Sequence, residues 1–172
     1  MPDSTTPASW IALANPKSPT NVGMVMRAAG CFGVSGVVYS GERFHHARKF
    51  ITDTKDMHEQ IPLTWEPDLF ASLPAGAVPV AVELVEGAIA LPDYQHPARA
   101  FYVFGPEDSS LTQAQVDQCR DVIYIPTRGC LNLAATVHVV LYDRLCKAGF
   151  SGGDDLIRHS RDNNNRLRWR RD

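Results

Sequence analysis

The sequence predicts one α/β domain built on a mostly parallel β-sheet that is flanked by helices. Short apolar segments rich in β-branched residues alternate along the chain with longer segments in which apolar residues recur at helical spacing. Most of the apolar segments stop at a proline or glycine turn signal. A chain of 172 residues that is 44% hydrophobic can bury one substantial core. We therefore expect residues 1–150 to form the domain and residues 151–172 to form a basic, flexible tail.

Six segments have the composition of buried strands. The first, residues 10–14, ends at Asn15-Pro16, and a later one, residues 100–104, is closed by Gly105-Pro106. The predicted strands are residues 10–14, 37–39, 64–65, 78–85, 100–104 and 122–125.

Helices are predicted where apolar residues at helical spacing follow a capping residue. Residues 22–32 form such a segment, with Asn21 placed as N-cap and Gly33 as the stop. The longest helical pattern covers residues 131–148 and ends in Gly149. Shorter helices are predicted at residues 68–73 and 112–119, and residues 45–61 are polar with weak helical character.

Composition and charge restrict the class of protein. No apolar run reaches the roughly 20 residues of a membrane span, and the N-terminus lacks an export pattern. The four cysteines are scattered, which is typical of reduced thiols, so we expect a cytoplasmic protein. The net charge is −2, but residues 156–171 contain six arginines and one aspartate, so they carry +5 and the remainder about −7. Such a tail is either a handle for phosphate backbones or a solvated terminus.

Three segments that follow predicted strands are rich in polar and conformationally special residues. We call residues 15–33, 104–111 and 125–143 the first, second and third motif segments. In α/β sheets, ligands bind beyond the carboxyl ends of the strands, so these segments are candidates for one site. In the first segment, Arg27 lies in an otherwise apolar helix, where it serves either as a planar fork for a phosphate or as a structural ion-pair partner.

The other two segments are weaker signals when each is taken alone. Gly105 allows close approach to the backbone, and Glu107 places a carboxylate near a strand end, but ordinary β-to-α loops also contain such residues. In the third segment, Gly129 precedes a helix whose first residues are predicted to be Cys130, Leu131 and Asn132; exposed N–H groups there can hold a polar ligand.

Other chemistries find little support in the sequence. Glycine-rich dinucleotide and phosphate loops, the nucleophile elbow and the HExxH zinc motif are all absent. His45-His46 lacks neighbouring zinc ligands, so no metal is expected. His138, inside the last long helix, is interpreted as a hydrogen-bonded core residue, and Cys31 and Cys130 as inert thiols.

Taken together and in this order, the three segments resemble the SpoU/TrmH family of the SPOUT superfamily, from about residue 10 to residue 147. That family carries an N-x-G-x-x-x-R helix start, an F-G-x-E loop and an I-P…S-L-N segment that enters the final helix. This chain has Asn21-Val22-Gly23 with Arg27, then Phe104-Gly105-Pro106-Glu107, then Ile125-Pro126 with Leu131-Asn132.

The resemblance implies a fold with a C-terminal trefoil knot, a homodimer, and S-adenosylmethionine as the cofactor of an RNA ribose 2′-O-methyltransferase acting on tRNA or rRNA. It implies a reaction centre formed by four residues: Arg27, Asn21, Glu107 and Asn132. The implied cofactor contacts are Glu83, Leu84, Phe104, Gly105, Ile125, Cys130 and Leu131. We expect Arg27 to grip a phosphate and polarise the hydroxyl, because a guanidinium donates hydrogen bonds but cannot accept them.

RNA contacts are expected from Arg27 and from the tail residues Arg166, Arg168, Trp169 and Arg170; Trp169 either stacks on a base or packs as an ordinary tail residue. The chain departs from the family in having Cys130 where the family has serine and in a shorter third-segment loop. Two alternatives therefore stay open, a non-catalytic knotted RNA-binding dimer and a SPOUT enzyme that methylates a base nitrogen.

Overall fold

A computed structural model describes residues 6–47, 60–150 and 152–169. The described strands are β1 (Ala8–Leu13), β2 (Gly36–Tyr39), β3 (Leu63–Trp65), β4 (Val78–Val82), β5 (Ile89–Ala90), β6 (Arg99–Phe104) and β7 (Asp121–Tyr124). They form a seven-stranded sheet in the order β3-β2-β1-β6-β4-β7-β5, and each of the six neighbouring pairs is parallel. The predicted parallel α/β architecture is confirmed.

The described helices are α1 (Pro19–Phe32), α2 (Arg43–Ala47), α3 (Gln113–Val116), α4 (Leu133–Ala148) and α5 (Asp154–Ser160). Short 3₁₀ turns occupy Leu69–Ser72 and Leu91–Asp93. α2 lies partly in the polar stretch predicted to have weak helical character, of which residues 48–59 are outside the described residues. The tail, which was predicted to be flexible, carries the short helix α5.

Two predicted helix starts are wrong. Ser18, not Asn21, is the N-cap of α1: its side chain accepts a hydrogen bond from the Asn21 N–H, and Pro19 at the first helical position fixes a suitable φ. The last long helix begins at Leu133 and not at residue 131, because the Asn132 side chain caps it by accepting from the Ala135 N–H at 2.7 Å. Gly33, with φ of 65°, ends α1 as predicted.

Strand predictions differ from the structure mainly at the ends. The strand predicted to run to residue 85 stops at Val82, and the two-residue strand β5 was not predicted because it is too short to show a period. Alternate residues of β6 point to opposite faces: Tyr102 and Phe104 belong to the core that α1 and α4 cover, whereas Phe101 and Val103 belong to the core on the other face.

A polar network joins the C-terminal half of α4 to the loop before β6. The side chain of His96 is 4% exposed; its ring nitrogens bond Tyr102 Oη at 2.6 Å and Asp143 Oδ2 at 2.8 Å. Lys147 Nζ lies 2.8 Å from the same Asp143 oxygen, and Arg144 donates to the carbonyls of nearby loop residues. Burial lowers the pKa of His96, although its hydrogen bond with Asp143 acts in the opposite direction. The network anchors the C-terminal half of α4, which includes Asp143 at the end of the third motif segment.

Candidate functional site

A cavity of about 350 Å³ lies at the carboxyl ends of β4, β6 and β7, where all three motif segments meet. We call it the strand-end cavity. Its wall combines apolar side chains with backbone and side-chain polar groups from the loops. The lining residues are Asn21, Val82, Glu83, Leu84, Phe104, Gly105, Pro106, Glu107, Ser109, Ser110, Tyr124, Ile125, Thr127, Gly129, Cys130, Leu131, Asn132, Leu133 and Thr136. Every cofactor-contact residue expected from the sequence is among them, as are Asn21, Glu107 and Asn132.

Glu107 connects the second motif segment to the first. Its carboxylate accepts hydrogen bonds from the backbone N–H groups of Lys17 at 2.8 Å and Ser18 at 3.0 Å. The side-chain amide of Asn21 donates to it at 3.2 Å. Because Ser18 caps α1, the side chain of Asn21 does not serve as the cap, and its amide can donate to Glu107. The two polar motif residues therefore meet at the wall of the cavity.

The charge of Glu107 follows from these contacts. Burial of the carboxyl would raise its pKa, but the hydrogen bonds that it accepts outweigh burial and hold the pKa below its usual value. Glu107 is consequently ionised at neutral pH and already engaged by three donors. Such a carboxylate is suited to positioning a loop and an amide rather than to accepting a proton.

Glu83, at the end of β4, forms a second carboxylate contact across the cavity wall. One oxygen accepts from the Leu111 N–H at 3.0 Å and the other from the Leu84 N–H at 2.9 Å. A Cβ atom at Gly105 would lie 2.9 Å from the nearer Glu83 oxygen and 3.3 Å from the Leu111 nitrogen. Glycine at position 105 thus allows the loops after β4 and β6 to approach each other.

The third motif segment forms a compact loop before α4. The Thr127 N–H bonds the Ile125 carbonyl at 2.9 Å, and the Thr127 hydroxyl donates to the Gly129 carbonyl at 2.6 Å. Cys130 and Leu131 are exposed and line the cavity just before the capping residue Asn132. The Asn132 oxygen caps α4, and Asn132 also lines the cavity.

Arg27 does not line the strand-end cavity of this chain. It lies in α1 on the exposed side of the helix, one turn after Met24, which is 44% exposed. Arg27 makes no ion pair with any residue within the described ranges, so the structural ion-pair reading of this residue is not supported. The structure therefore brings together three of the four expected reaction-centre residues and leaves Arg27 on a neighbouring surface.

The basic tail forms a separate surface. Arg166 and Arg168, with Arg158 and Arg161, line a concavity of about 410 Å³, and Trp169 is 83% exposed. Arg158 also pairs with Asp155 at 2.5 Å, which offsets part of the positive charge. Arg170 lies outside the described residues.

A group of charged residues beside the cavity was not predicted from the sequence. Arg43, in α2, bonds both carboxylate oxygens of Asp108 through Nη1, at 2.8 and 2.9 Å, and bonds the Asn15 carbonyl through Nη2. Lys17 Nζ lies 3.6 Å from Asp108. The acidic residue directly after Glu107 was the available signal, but its cationic partner is 65 residues away in sequence.

Within the described ranges, no group of three or more histidine, cysteine or acidic side chains is arranged to hold a metal ion. None of the helices in the same ranges is both long and apolar enough to span a lipid bilayer. The His138 ring bonds the Ala134 carbonyl at 2.7 Å, so the predicted hydrogen bond is confirmed. The residue is only half-buried, so its predicted place in the core is wrong.

Comparison with known proteins decides the family. The model of the SpoU rRNA Methylase family matches residues 8–142, which include the first two motif segments and all but the last residue of the third. The chain belongs to this family. No curated protein matches the chain in a sequence comparison.

Solved structures similar to this SpoU-family chain share its fold. An rRNA methyltransferase from Sinorhizobium meliloti is 21% identical with a TM-score of 0.72, over 81% of this chain and 56% of that one. The SpoU methyltransferase AviRb from Streptomyces viridochromogenes, in complex with AdoMet, is 19% identical with a TM-score of 0.67, over 81% of this chain and 57% of that one. A structure described as giving insights into the 2-OH methylation of C/U34 on tRNA is 24% identical with a TM-score of 0.69, over 82% of this chain and 96% of that one. The chain thus spans little more than half the length of the first two proteins.

Proposed function

We propose that this SpoU-family chain transfers a methyl group from S-adenosylmethionine to a ribose 2′-hydroxyl of tRNA or rRNA. The observation that carries the proposal is the convergence of the three motif segments on one strand-end cavity, with Asn21, Glu107 and Asn132 in its wall. Similar structures are described as bound to AdoMet and as concerned with 2-OH methylation on tRNA, which favours this reaction over methylation of a base nitrogen.

The cavity suits a nucleoside-based cofactor. Its volume of about 350 Å³ lies within the range of small-molecule sites, and apolar residues such as Leu84, Ile125 and Leu131 alternate with polar loop groups. We propose that Phe104, Gly105 and the loops around Glu83 and Cys130 complete the contacts. When bound, S-adenosylmethionine supplies a methyl group that is already electrophilic, so the protein contributes mainly placement.

The residues of this chain have distinct proposed roles. Asn21, held by the ionised Glu107, and Asn132, held by its capping bond, would orient the ribose at the edge of the cavity. Arg27, exposed on α1, would grip the adjacent phosphate as a planar fork. Glu107 acts on the reaction through the loop and the amide that it fixes.

We further propose a homodimer and a C-terminal trefoil knot, as the family resemblance implies. Exposed apolar side chains on α1 and α4, which pack against each other, support the dimer: Met24, Val139, Tyr142 and Leu145 are between 37% and 59% exposed. A second copy of the chain would cover these side chains and bring Arg27 next to the interface. Sedimentation equilibrium should give twice the chain mass, and Tyr142→Glu should shift it to the monomer; a monomeric native protein would refute the dimer.

The test of the function is direct. The protein is incubated with methyl-labelled S-adenosylmethionine and separate tRNA and rRNA pools, and the labelled nucleotide is identified after digestion. A 2′-O-methylated nucleoside supports the proposal, whereas a methylated base supports the alternative enzyme. Calorimetric binding of the cofactor without any transfer to RNA would instead indicate a non-catalytic binder.

Arg27→Ala separates chemistry from cofactor binding. We expect the variant to bind S-adenosylmethionine as tightly as the native protein while methyl transfer falls at least tenfold, with Arg27→Lys intermediate. Full transfer by Arg27→Ala would remove this residue from the proposed reaction centre.

We propose that the tail increases RNA affinity through Arg166, Arg168, Arg170 and Trp169. Deleting residues 156–172 removes six arginines and should weaken RNA binding and flatten its dependence on salt, since each phosphate contact contributes about −0.7 to the slope for single strands. Cofactor affinity should not change. An unaltered slope would show that the tail does not contact RNA.

A further inference from the structure

An aromatic pair, formed by the exposed Trp65 and the half-buried His45, lies at the same edge of the sheet as the strand-end cavity, beyond β2 and β3. The rings of Trp65 and His45 are 5.5 Å apart between centroids and tilted by 54°. The Trp65 Nε1–H donates to the Gly41 carbonyl at 3.0 Å, and Tyr39 Oη lies 3.3 Å from His45 Nδ1. Both rings are thus fixed in orientation, while Trp65 remains 37% exposed.

The register of the sheet connects this pair to the cavity. Trp65 pairs with Tyr39, Tyr39 with Leu13, and Leu13 with Phe104, so one row of residues crosses β3, β2, β1 and β6. Phe104 lines the strand-end cavity. Three steps between neighbouring strands amount to about 14 Å. At about 3.4 Å per nucleotide in a stacked strand, this distance corresponds to about four nucleotides, and to fewer in an extended strand.

Two cationic side chains follow the strands between the row's ends, Lys17 in the loop after β1 and Arg43 at the start of α2. The side chain of Lys17 is 64% exposed and that of Arg43 is 32% exposed. Asp108 contacts both, and Glu42 is nearby in sequence, so the surface is close to neutral overall. A ligand here would gain more from contact with the aromatic ring than from net charge.

We propose that Trp65, supported by His45, is a stacking site for an unpaired base of the substrate RNA, within about four nucleotides of the nucleotide whose ribose lies at the edge of the strand-end cavity. This inference rests on the proposed RNA methyltransferase function. A tryptophan whose N–H is satisfied by the protein offers its exposed ring face to any base, which suits an RNA strand of variable sequence. Lys17 and Arg43 would contact the phosphates between the two positions.

Trp65→Ala and Trp65→Phe test the stacking directly. Binding of a 12-residue oligouridylate is measured by titration at several salt concentrations, together with S-adenosylmethionine binding by calorimetry. We expect Trp65→Ala to weaken oligouridylate binding about 5- to 100-fold and Trp65→Phe less than about threefold. Both variants should retain the salt slope and the cofactor affinity of the native protein. Unchanged oligouridylate affinity in Trp65→Ala overturns the proposal.

A second measurement uses the native protein, so a folding defect in the alanine variant does not affect it. Oligouridylate should quench the fluorescence of the native protein more than that of Trp65→Phe, because only the native protein carries the Trp65 indole. Equal quenching in the two proteins overturns the stacking site. If the native protein methylates RNA but oligouridylate does not quench Trp65 fluorescence, only the stacking inference fails. If Trp65 fluorescence is quenched but no RNA pool is methylated, the stacking site stands and the proposed function fails.

Discussion

Replacing Glu107 by glutamine should loosen the junction of the first two motif segments without changing the size of the side chain. The native carboxylate accepts from the Lys17 and Ser18 N–H groups and from the Asn21 amide, at 2.8 to 3.2 Å. Glutamine has one acceptor oxygen, and its amide nitrogen would face a donor. Partial exposure lets water replace some of the loss, so we expect the free energy of unfolding to fall by about 1–3 kcal/mol.

The effect should depend on pH in a defined direction. Because the folded protein holds the Glu107 pKa below the ordinary value of 4.5, the carboxylate contributes stability above about pH 4.5, and this contribution is lost as the pH falls through the folded pKa. Urea unfolding of the native protein and Glu107→Gln should therefore differ at pH 7 and converge in acid. Methyl transfer should also fall, because Asn21 loses the partner that holds its amide.

Glu86→Gln is the matched control. Glu86 is an exposed carboxylate that makes no hydrogen bond or ion pair with other residues in the described ranges. Its replacement should therefore change the free energy of unfolding by less than about 0.5 kcal/mol. If Glu107→Gln unfolds at the same urea concentration as the control at every pH, the carboxylate does not join the two segments as we describe.

Three further predictions concern packing and protonation. Gly105→Ala places a methyl carbon 2.9 Å from a Glu83 carboxylate oxygen. It should weaken cofactor binding in calorimetry at least tenfold and lower the free energy of unfolding in urea by about 1–3 kcal/mol. A native-like cofactor affinity would contradict this crowding. In Gly41→Ala the new Cβ atom would clash with the Asn15 side chain, and the backbone φ is +77°. In Gly33→Ala the φ is +65° but nothing lies within 4 Å, so the thermal unfolding temperature should drop further for Gly41→Ala than for Gly33→Ala. Equal drops would argue against the contact with Asn15. Because burial lowers the pKa of His96 in the folded protein, this histidine binds a proton more readily in the unfolded chain. The native protein should therefore lose stability as the pH falls below about 6.5, and His96→Gln should flatten this pH dependence in urea unfolding. An unchanged pH profile would exclude His96 as its source.

The sequence predicted the parallel sheet and most element positions because buried strands and amphipathic helices leave periodic patterns. It predicted the cavity wall through the motif order, and every expected cofactor contact lines that cavity. It placed the cap of α1 at Asn21 because asparagine is a good capping residue, whereas Ser18 followed by Pro19 satisfied the same requirement three residues earlier.

What the sequence did not predict depends on distant pairs. Asp108 contacts Arg43 of α2, and Trp65 of β3 contacts His45 of α2. The proximity of these segments follows from the strand order, which periodicity does not specify. The position of Arg27 outside the cavity was likewise not predicted from the sequence. Its helix was predicted, but whether its outer side faces the cavity, the RNA or a second copy depends on tertiary and quaternary packing.

The pairing of β1 with β6 has a consequence for synthesis in the cell. Ala8 of β1 aligns with Arg99 of β6, so β1 leaves the ribosome about 90 residues before β6. At roughly 5–20 residues per second, the ribosome needs about 5–18 s to supply β6. Until then one edge of β1 stays unpaired, and such an edge is open to aggregation. Nascent chains should therefore depend on a chaperone during this interval, because the native β1–β2 pair covers only the opposite edge of β1.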